Sequence, residues 1–266
     1  MTPIHAAAEF THRNLLGAGF TVRLLLRTLG RVHYLPRRMR FTLDQCFAAG
    51  VRALPVTLCV ATVAGMILAL QTGIELRRFG QQSIIGSVTA LSMCREMGPF
   101  ITSVILAATV GSAMAAELGT MNVSDEVTAI EVMSVDPVDY LVLPRVVGLT
   151  VMCPLLTIFS NMVGIFGGSL IGASNLGVST QFYWRSVQES LMTPEHLLPK
   201  DVYTGIVKAV IFGLAVSVVS CSAGLRAEGG ALGVGLAVQT AVKNSVILII
   251  VLGLITTWFF YYLQIT

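Results

Sequence analysis

Long apolar stretches with almost no charge recur along this chain, and they constrain its fold more than any other feature. The clearest runs from Ala90 to Gly111, where one Arg–Glu pair supplies the only charges. Only 12% of the 266 residues are charged, against about 25% in soluble domains. A bilayer crossing needs about 20 apolar residues. The sequence therefore predicts an all-α polytopic membrane protein with about five membrane-spanning helices, at about residues 46–71, 84–117, 141–172, 203–222 and 237–263.

The chain begins with a basic arm, residues 1–45, ahead of a predicted permease domain at residues 46–266. The arm holds seven arginines and two acidic residues. Arg23, Arg27 and Arg31 recur every four residues and form one stripe on a helix, with apolar residues on the other side. Such a helix is expected to lie in the plane of the lipid headgroups. The arginine excess predicts a cytoplasmic N-terminus, and five spans then place the C-terminus outside.

One arginine and one glutamate stand side by side inside the second predicted span. Adjacent helical residues point about 100° apart, so each needs its own partner or water. A proline three residues after the glutamate cannot donate to the carbonyl of the arginine, so a kink or break is expected. Two interpretations stay open: a structural ion pair with a neighbouring span, or a polar patch in a cavity that receives the headgroup of an amphiphile. The candidate cavity residues are Gln71, Ser92, Arg95, Glu96, Met97 and Pro99.

The connection between the second and third predicted spans contains an acidic amphipathic segment. Ser124 is a good N-cap, and Pro137 disfavours helix at the residue before it. The pattern predicts a cytoplasmic helix of about three turns, at about residues 124–136, with an apolar ridge. The ridge either packs on the ends of its own spans or binds a cytoplasmic partner. The candidate docking residues are Ser124, Asp125, Glu126, Val127, Ile130, Glu131, Met133, Asp136 and Pro137.

Small residues recur every four positions on the second predicted span, a spacing that lets membrane helices approach closely. Packing within one subunit and self-association both fit this pattern. One row is Ala107, Gly111, Ala115 and Gly119, and a parallel row is Ala108, Ser112, Ala116 and Thr120.

Several enzyme and metal classes find no support in the sequence. There is no Gly-Lys dipeptide and hence no phosphate-binding loop, so ATP would have to bind to another chain. The five cysteines are scattered without metal-ligand spacing. The four histidines lie outside the predicted spans, which disfavours an intramembrane hydrolase.

Two expectations concern the polar connections between spans. Arg77 and Arg78 would lie outside, against the positive-inside tendency. A helix is expected around Thr180–Leu191.

Taken together, several stretches resemble the MlaE-type permease family, the membrane subunits of ATP-driven lipid transporters that work with Mce-domain proteins. The stretches are "ALSMCREMGP", "GSAMAAELGTMNVSDEVTAIEVMSVDPVDYLVLPR", "GIFGGSLIG", "KAVIFG" and "GGALGVGLAVQTAVKNSVI". They occur in the expected order from about Ala90 to Ile247, behind the basic arm.

The resemblance implies a multi-pass permease of the bacterial inner membrane that works as a homodimer. Each copy would bind a cytoplasmic ATPase subunit, which would hold ATP and magnesium, through the acidic segment as a coupling helix. An Mce-domain protein outside would exchange phospholipid or a related lipid with a cavity bordered by "CREMGP". Many family members carry an arginine where this chain has Thr109 and an acidic residue where it has Gly253, which leaves a sterol open as cargo. The alternative from another class is a stand-alone ion-coupled carrier that uses Arg95 and Glu96.

Overall fold

The described part of the chain folds almost entirely into helices. The computed structural model describes the backbone of residues 3–191 and 200–265 and the side chains of residues 17–35, 38–191 and 201–262. A short 3-10 helix covers Val32–Arg38, and no strand occurs in the described residues. The eight longer helical elements are α1 (Pro3–Gly30), α2 (Met39–Arg78), α3 (Gln82–Val123), α4 (Glu126–Val132), α5 (Val138–Asn175), α6 (Thr180–Leu191), α7 (Lys200–Gly224) and α8 (Gly230–Ile265).

Five of these helices, α2, α3, α5, α7 and α8, are long and apolar enough to cross a membrane. The predicted five-span, all-α architecture is thus confirmed, although each helix extends beyond its predicted bounds. α6 also coincides with the helix expected at Thr180–Leu191. The rest of that predicted exterior segment, residues 192–199, lies outside the described residues.

Contacts divide the chain into two units. The first contains residues up to Cys46, Ala107–Leu149 and Leu214–Val246. Its apolar core is formed by side chains from α1, α3, α4, α5 and α7, and Leu118 and Val142 are fully buried in it. The basic arm therefore contributes to a folded core.

The second unit contains Phe47–Leu106, Thr150–Gly213 and the residues from Ile247 onward. In this unit α2 and α5 touch at backbone distance, because a Cβ on Gly65 would collide with the carbonyl oxygen of Gly164. α6 is held by Tyr183, whose buried hydroxyl donates to the carbonyl of Ile165 at 3.2 Å. Burial raises the pKa of Tyr183 to about 12, which keeps this hydroxyl a donor.

Candidate functional site

Four charged side chains on two spans form a cluster in the second unit. Arg95 on α3 is ion-paired with Asp201 on α7. Beside it, Glu96 Oε1 lies 2.5 Å from Lys208 Nζ, also on α7. Each of the two adjacent charges has its own partner, as their different directions on the helix require. We refer to these four residues as the charge cluster; its two cations and two anions sum to zero formal charge.

Lys208 is the most deeply buried member of the charge cluster, with only 3% of its side chain exposed. Besides Glu96, its ammonium group donates to Thr257 Oγ1 at 2.9 Å and to the backbone carbonyl of Arg95 at 3.2 Å. These three bonds use the three N–H donors of a lysine. A buried ammonium group without partners would be strongly unfavourable, so the surrounding acceptors are what make this position possible.

The carbonyl of Arg95 is available because of Pro99. α3 contains a π-helical turn at Met93–Met97, and the N–H of Gly98 bonds to the carbonyl of Met93. Proline has no N–H, so the usual helical donor to the Arg95 carbonyl is missing, and Lys208 takes its place. The interruption expected here is therefore a π-helical turn within a continuous helix, not a break. Such turns are frequent at functional sites.

Exposure differs between the two helices that build the charge cluster. The side chains of Arg95 and Glu96 on α3 are 45% and 47% exposed, whereas Asp201 on α7 is 14% exposed. α7 thus supplies mostly buried counter-charges, and α3 presents half-exposed charges. The ion pairs join two spans, and the side chains of Arg95 and Glu96 remain about half exposed.

The other predicted cavity residues are in varied environments. Met97 is 43% exposed beside the charge cluster, and Gln71 is exposed on α2. Ser92 is half-buried, and Pro99 is buried against α7, where a Cβ on Gly205 would lie 3.4 Å from its Cγ. Among the described residues, no hydrogen bond joins Gln71 or Ser92 to the charge cluster. Pro99 therefore contacts protein, whereas Met97 is exposed next to Arg95 and Glu96.

α4 begins and ends differently from the sequence prediction. It covers only Glu126–Val132, about two turns, and no side chain caps it. Ser124 was expected to be the N-cap, but its hydroxyl instead donates to the carbonyl of Thr120 at 2.9 Å, at the end of α3. The end predicted at Asp136 is also wrong. Left-handed backbone at Asp125 (φ 60°) and Ser134 (φ 61°) sets the limits of the helix.

The predicted apolar ridge of α4 divides between the core and the surface. Val127 is buried and Ile130 packs against the same core of the first unit. Met133 is 68% exposed, and its neighbour Val132 is 80% exposed. The first two residues therefore hold α4 on its own span ends, whereas the last two form an open apolar tip.

Two arginines of the stripe on α1 form ion pairs with the turn that follows α4. Arg27 lies 2.8 Å from Asp136, and Arg31 lies 2.7 Å from Asp136 and 2.5 Å from Asp139. The hydrogen bond to Asp139 is the main cause that raises the pKa of Arg31. Arg23, the third arginine of the stripe, lines a cavity of about 640 Å³ beside this turn. We call the three ion pairs the arginine clamp.

Comparison with known proteins identifies the family. Residues 42–259 match the family model described as Permease MlaE. The chain belongs to the MlaE permease family. A probable ABC transporter permease protein of Rickettsia conorii is 36% identical to it over 226 residues, 85% of each chain.

Two further relatives carry names that refer to lipids. The intermembrane phospholipid transport system permease protein MlaE of Haemophilus influenzae is 31% identical over 213 residues, 80% of each chain. The chloroplastic protein Trigalactosyldiacylglycerol 1 of Arabidopsis thaliana is 36% identical over 240 residues, 90% of this chain and 65% of its own length.

Three residues of the candidate site were missed by reasoning from the sequence: Asp201, Lys208 and Thr257. A signal existed for two of them. Lys208 is the only charged residue in the predicted fourth span, 203–222, and Asp201 precedes it by two helical turns on the same face. Opposite charges on one apolar span are candidate partners for the opposite charges of an Arg–Glu pair on another span. Thr257 carried no such signal, since a threonine in a span commonly bonds to its own helix.

The two rows of small residues on α3 of this MlaE permease lie in different environments. The row that contains Ala115 is buried inside the first unit. There α7 approaches so closely that a Cβ on Gly224 would lie 2.9 Å from the Ala115 carbonyl oxygen. In the parallel row, Ala108 and Thr120 are exposed and the two residues between them are partly exposed. Packing within the chain thus occupies the first row and leaves the second open.

No candidate metal site occurs in the part of the chain that the structure describes. No group of three or more His, Cys, Asp or Glu side chains is placed to hold an ion there. Arginine or lysine instead engages the acidic side chains of the charge cluster and of the arginine clamp.

Reversing the charge of Asp136 should release α1 from the turn after α4. We expect Asp136→Arg to cost about 1 kcal/mol, because its two pairs are partly exposed, and to accelerate proteolysis of α1 several-fold. Limited proteolysis in detergent, followed by mass spectrometry, measures this. Adding Arg27→Asp should restore part of the protection, because the swapped pair can form again while Arg31 keeps its pair with Asp139.

The control for the clamp is Glu189→Arg, which breaks the mostly exposed pair with Arg185 on α6. It should leave the cleavage of α1 unchanged. Unaltered proteolysis of Asp136→Arg would show that apolar packing alone fixes α1.

Proposed function

We propose that this MlaE permease is the membrane subunit of an ATP-driven lipid transporter, which moves phospholipid or a related lipid between the inner membrane and an Mce-type periplasmic partner. The half-open, neutral charge cluster on apolar spans carries this proposal. Arg95 suits a phosphate group, and Glu96 suits an ammonium group. An amphiphile with both charges would meet both partners, while its acyl chains contact apolar surface. The name of the Haemophilus influenzae relative points to the same cargo.

Thr109 and Gly253 stand where the family resemblance leads us to expect further charges. Fewer charges within the spans weaken the preference for strongly charged headgroups. A phospholipid remains the first candidate, and a sterol is the second.

The tip of α4 is the proposed contact with a cytoplasmic ATPase. Val132 and Met133 are large apolar side chains that stand open in an acidic segment, a pattern typical of a helix that binds a groove. ATP and magnesium would be held by that partner. Because the arginine clamp joins α1 to the turn after α4, a displacement of α4 on ATP binding would also move α1.

The proposed second copy of the chain would cover polar surface on α8. Lys243 and Asn244 are exposed near the middle of this span, and a charge at that depth requires protein or water around it. The open small-residue row on α3 offers a second close-packing surface. A homodimer with a shared polar interior would satisfy both features.

The proposed location is the bacterial inner membrane with the N-terminus in the cytoplasm. The arginine excess of residues 1–45 supports this orientation. On α1, the apolar side chains of Val22, Leu26 and Leu29 are exposed on the side away from the clamp. They are free to enter the headgroup layer of the cytoplasmic leaflet.

Mass spectrometry of the complex isolated from its native membrane in mild detergent tests the proposal. We expect a stoichiometric ATPase subunit, an Mce-domain protein and bound lipid. A chain that is repeatedly isolated alone, under conditions that preserve other complexes, would contradict it. That outcome would favour the ion-coupled carrier.

A further inference from the structure

A cavity of about 430 Å³ lies in the second unit where α2 and α5 end. Its lining combines two arginines and an amide with three apolar side chains: Leu70, Ile74, Arg77, Arg78, Asn175 and Leu176. No residue of the charge cluster lines it. The cavity therefore needs an explanation of its own.

The arginines of this cavity have spare binding capacity. Arg77 is exposed and forms no ion pair with any described residue. Among the described residues, Arg78 is paired only with Glu75, at 3.3 Å and three residues away, and both side chains are mostly exposed. Such a pair contributes little, so Arg78 can exchange it for a stronger acceptor. The site with Glu75 included carries one net positive charge.

The apolar half of the cavity includes Leu70 and Ile74, which precede the two arginines on α2. Leu70 and Arg78 are eight residues apart, a rise of about 12 Å along the helix, which covers the change from hydrocarbon to headgroup. Leu176 closes the base by packing over Gly73, where a Cβ would lie 3.2 Å from its Cγ. The lining thus changes from apolar to cationic along α2, as a phospholipid changes from acyl chain to phosphate.

We propose that this cavity binds the phosphate group of a membrane phospholipid, with part of an acyl chain along Leu70 and Ile74. A guanidinium group binds phosphate through two parallel hydrogen bonds. In the proposed orientation these arginines lie outside, where basic residues are disfavoured; a lipid ligand accounts for their presence there. The site goes beyond the proposed transport function, because occupancy here requires neither ATP nor transport.

Photo-crosslinking of the full-length protein tests the site. The probe is phosphatidylglycerol with a photoreactive group near its headgroup, in nanodiscs of phosphatidylcholine and without ATP. Mass spectrometry would locate the label on residues 70–78. In Arg77→Gln/Arg78→Gln we expect at least about tenfold less label there, because the loss of even one charge-assisted hydrogen bond has that effect. Arg77→Lys/Arg78→Lys should keep part of it.

Arg185→Gln is the matched control, since Arg185 is an exposed arginine on α6 that does not line the cavity. It should label as the unaltered protein does. Equal labelling of the Arg77→Gln/Arg78→Gln variant would overturn the site. Displacement of the probe by inorganic phosphate as effectively as by unlabelled phosphatidylglycerol would overturn the lipid as ligand. Lipid transfer by the complex is measured separately, so a negative result here leaves the transport proposal standing.

Discussion

Glu96→Leu is expected to destabilise this protein more than Lys208→Met, although both changes break the same ion pair. Glu96→Leu leaves Lys208 buried as an unpaired cation, which costs about 3 kcal/mol. Lys208→Met leaves Glu96 half exposed, so water can hydrate its carboxylate, and the loss should be about 1 kcal/mol. Thermal unfolding in mild detergent measures both. Equal losses would contradict access of water to Glu96.

The double variant Glu96→Leu/Lys208→Met separates a structural role from a ligand-binding role. With both charges replaced by apolar groups, most of the stability lost in Glu96→Leu should return. Lipid transfer between vesicles should stay low, because the half-open carboxylate is gone. A double variant that is stable and also transfers lipid at the normal rate would mean that the pair only holds α3 against α7.

The spans were predictable because length and apolarity decide whether a helix crosses a bilayer. The partners of Arg95 and Glu96 were harder to predict, because they come from a helix more than 100 residues away in the sequence. The sequence did show that each charge needed a separate partner. The sequence also contained a further signal, because Lys208 is a lone charge in an apolar stretch. Which helices meet is decided by packing, as at Gly65 and Gly164.

The limits of α4 could not be predicted from capping residues alone. Serine caps the start of a helix in one context and bonds back to its own helix in another, and Ser124 does the latter. Periodicity placed Val127, Ile130 and Met133 on one side. The early end of the helix at Val132 then divided that ridge between core and surface.

Aspartate at the tip of α4 is expected to abolish binding of the proposed ATPase. In Val132→Asp/Met133→Asp, two exposed apolar side chains become carboxylates, which the interface would have to bury without partners at a large cost in free energy. The fold should be retained, because both side chains are exposed already. Co-purification of the ATPase from membranes that express both chains measures the effect. Ile130→Asp is a poor test, since Ile130 packs into the core of the first unit and its change would unfold the segment.

Leu232→Asp provides the matched control, because Leu232 is a 78% exposed apolar residue of the first unit outside α4. It should leave co-purification unchanged. Loss of the ATPase in both variants would mean that added negative charge, not the tip of α4, disrupts binding. Full co-purification of the Val132→Asp/Met133→Asp variant would remove α4 as the docking site. Since Val127 and Ile130 already pack in the core, Val132 and Met133 are the large apolar side chains at the end of α4 that remain free to bind a partner. The outcome at these two residues therefore decides between the two interpretations that the sequence left open.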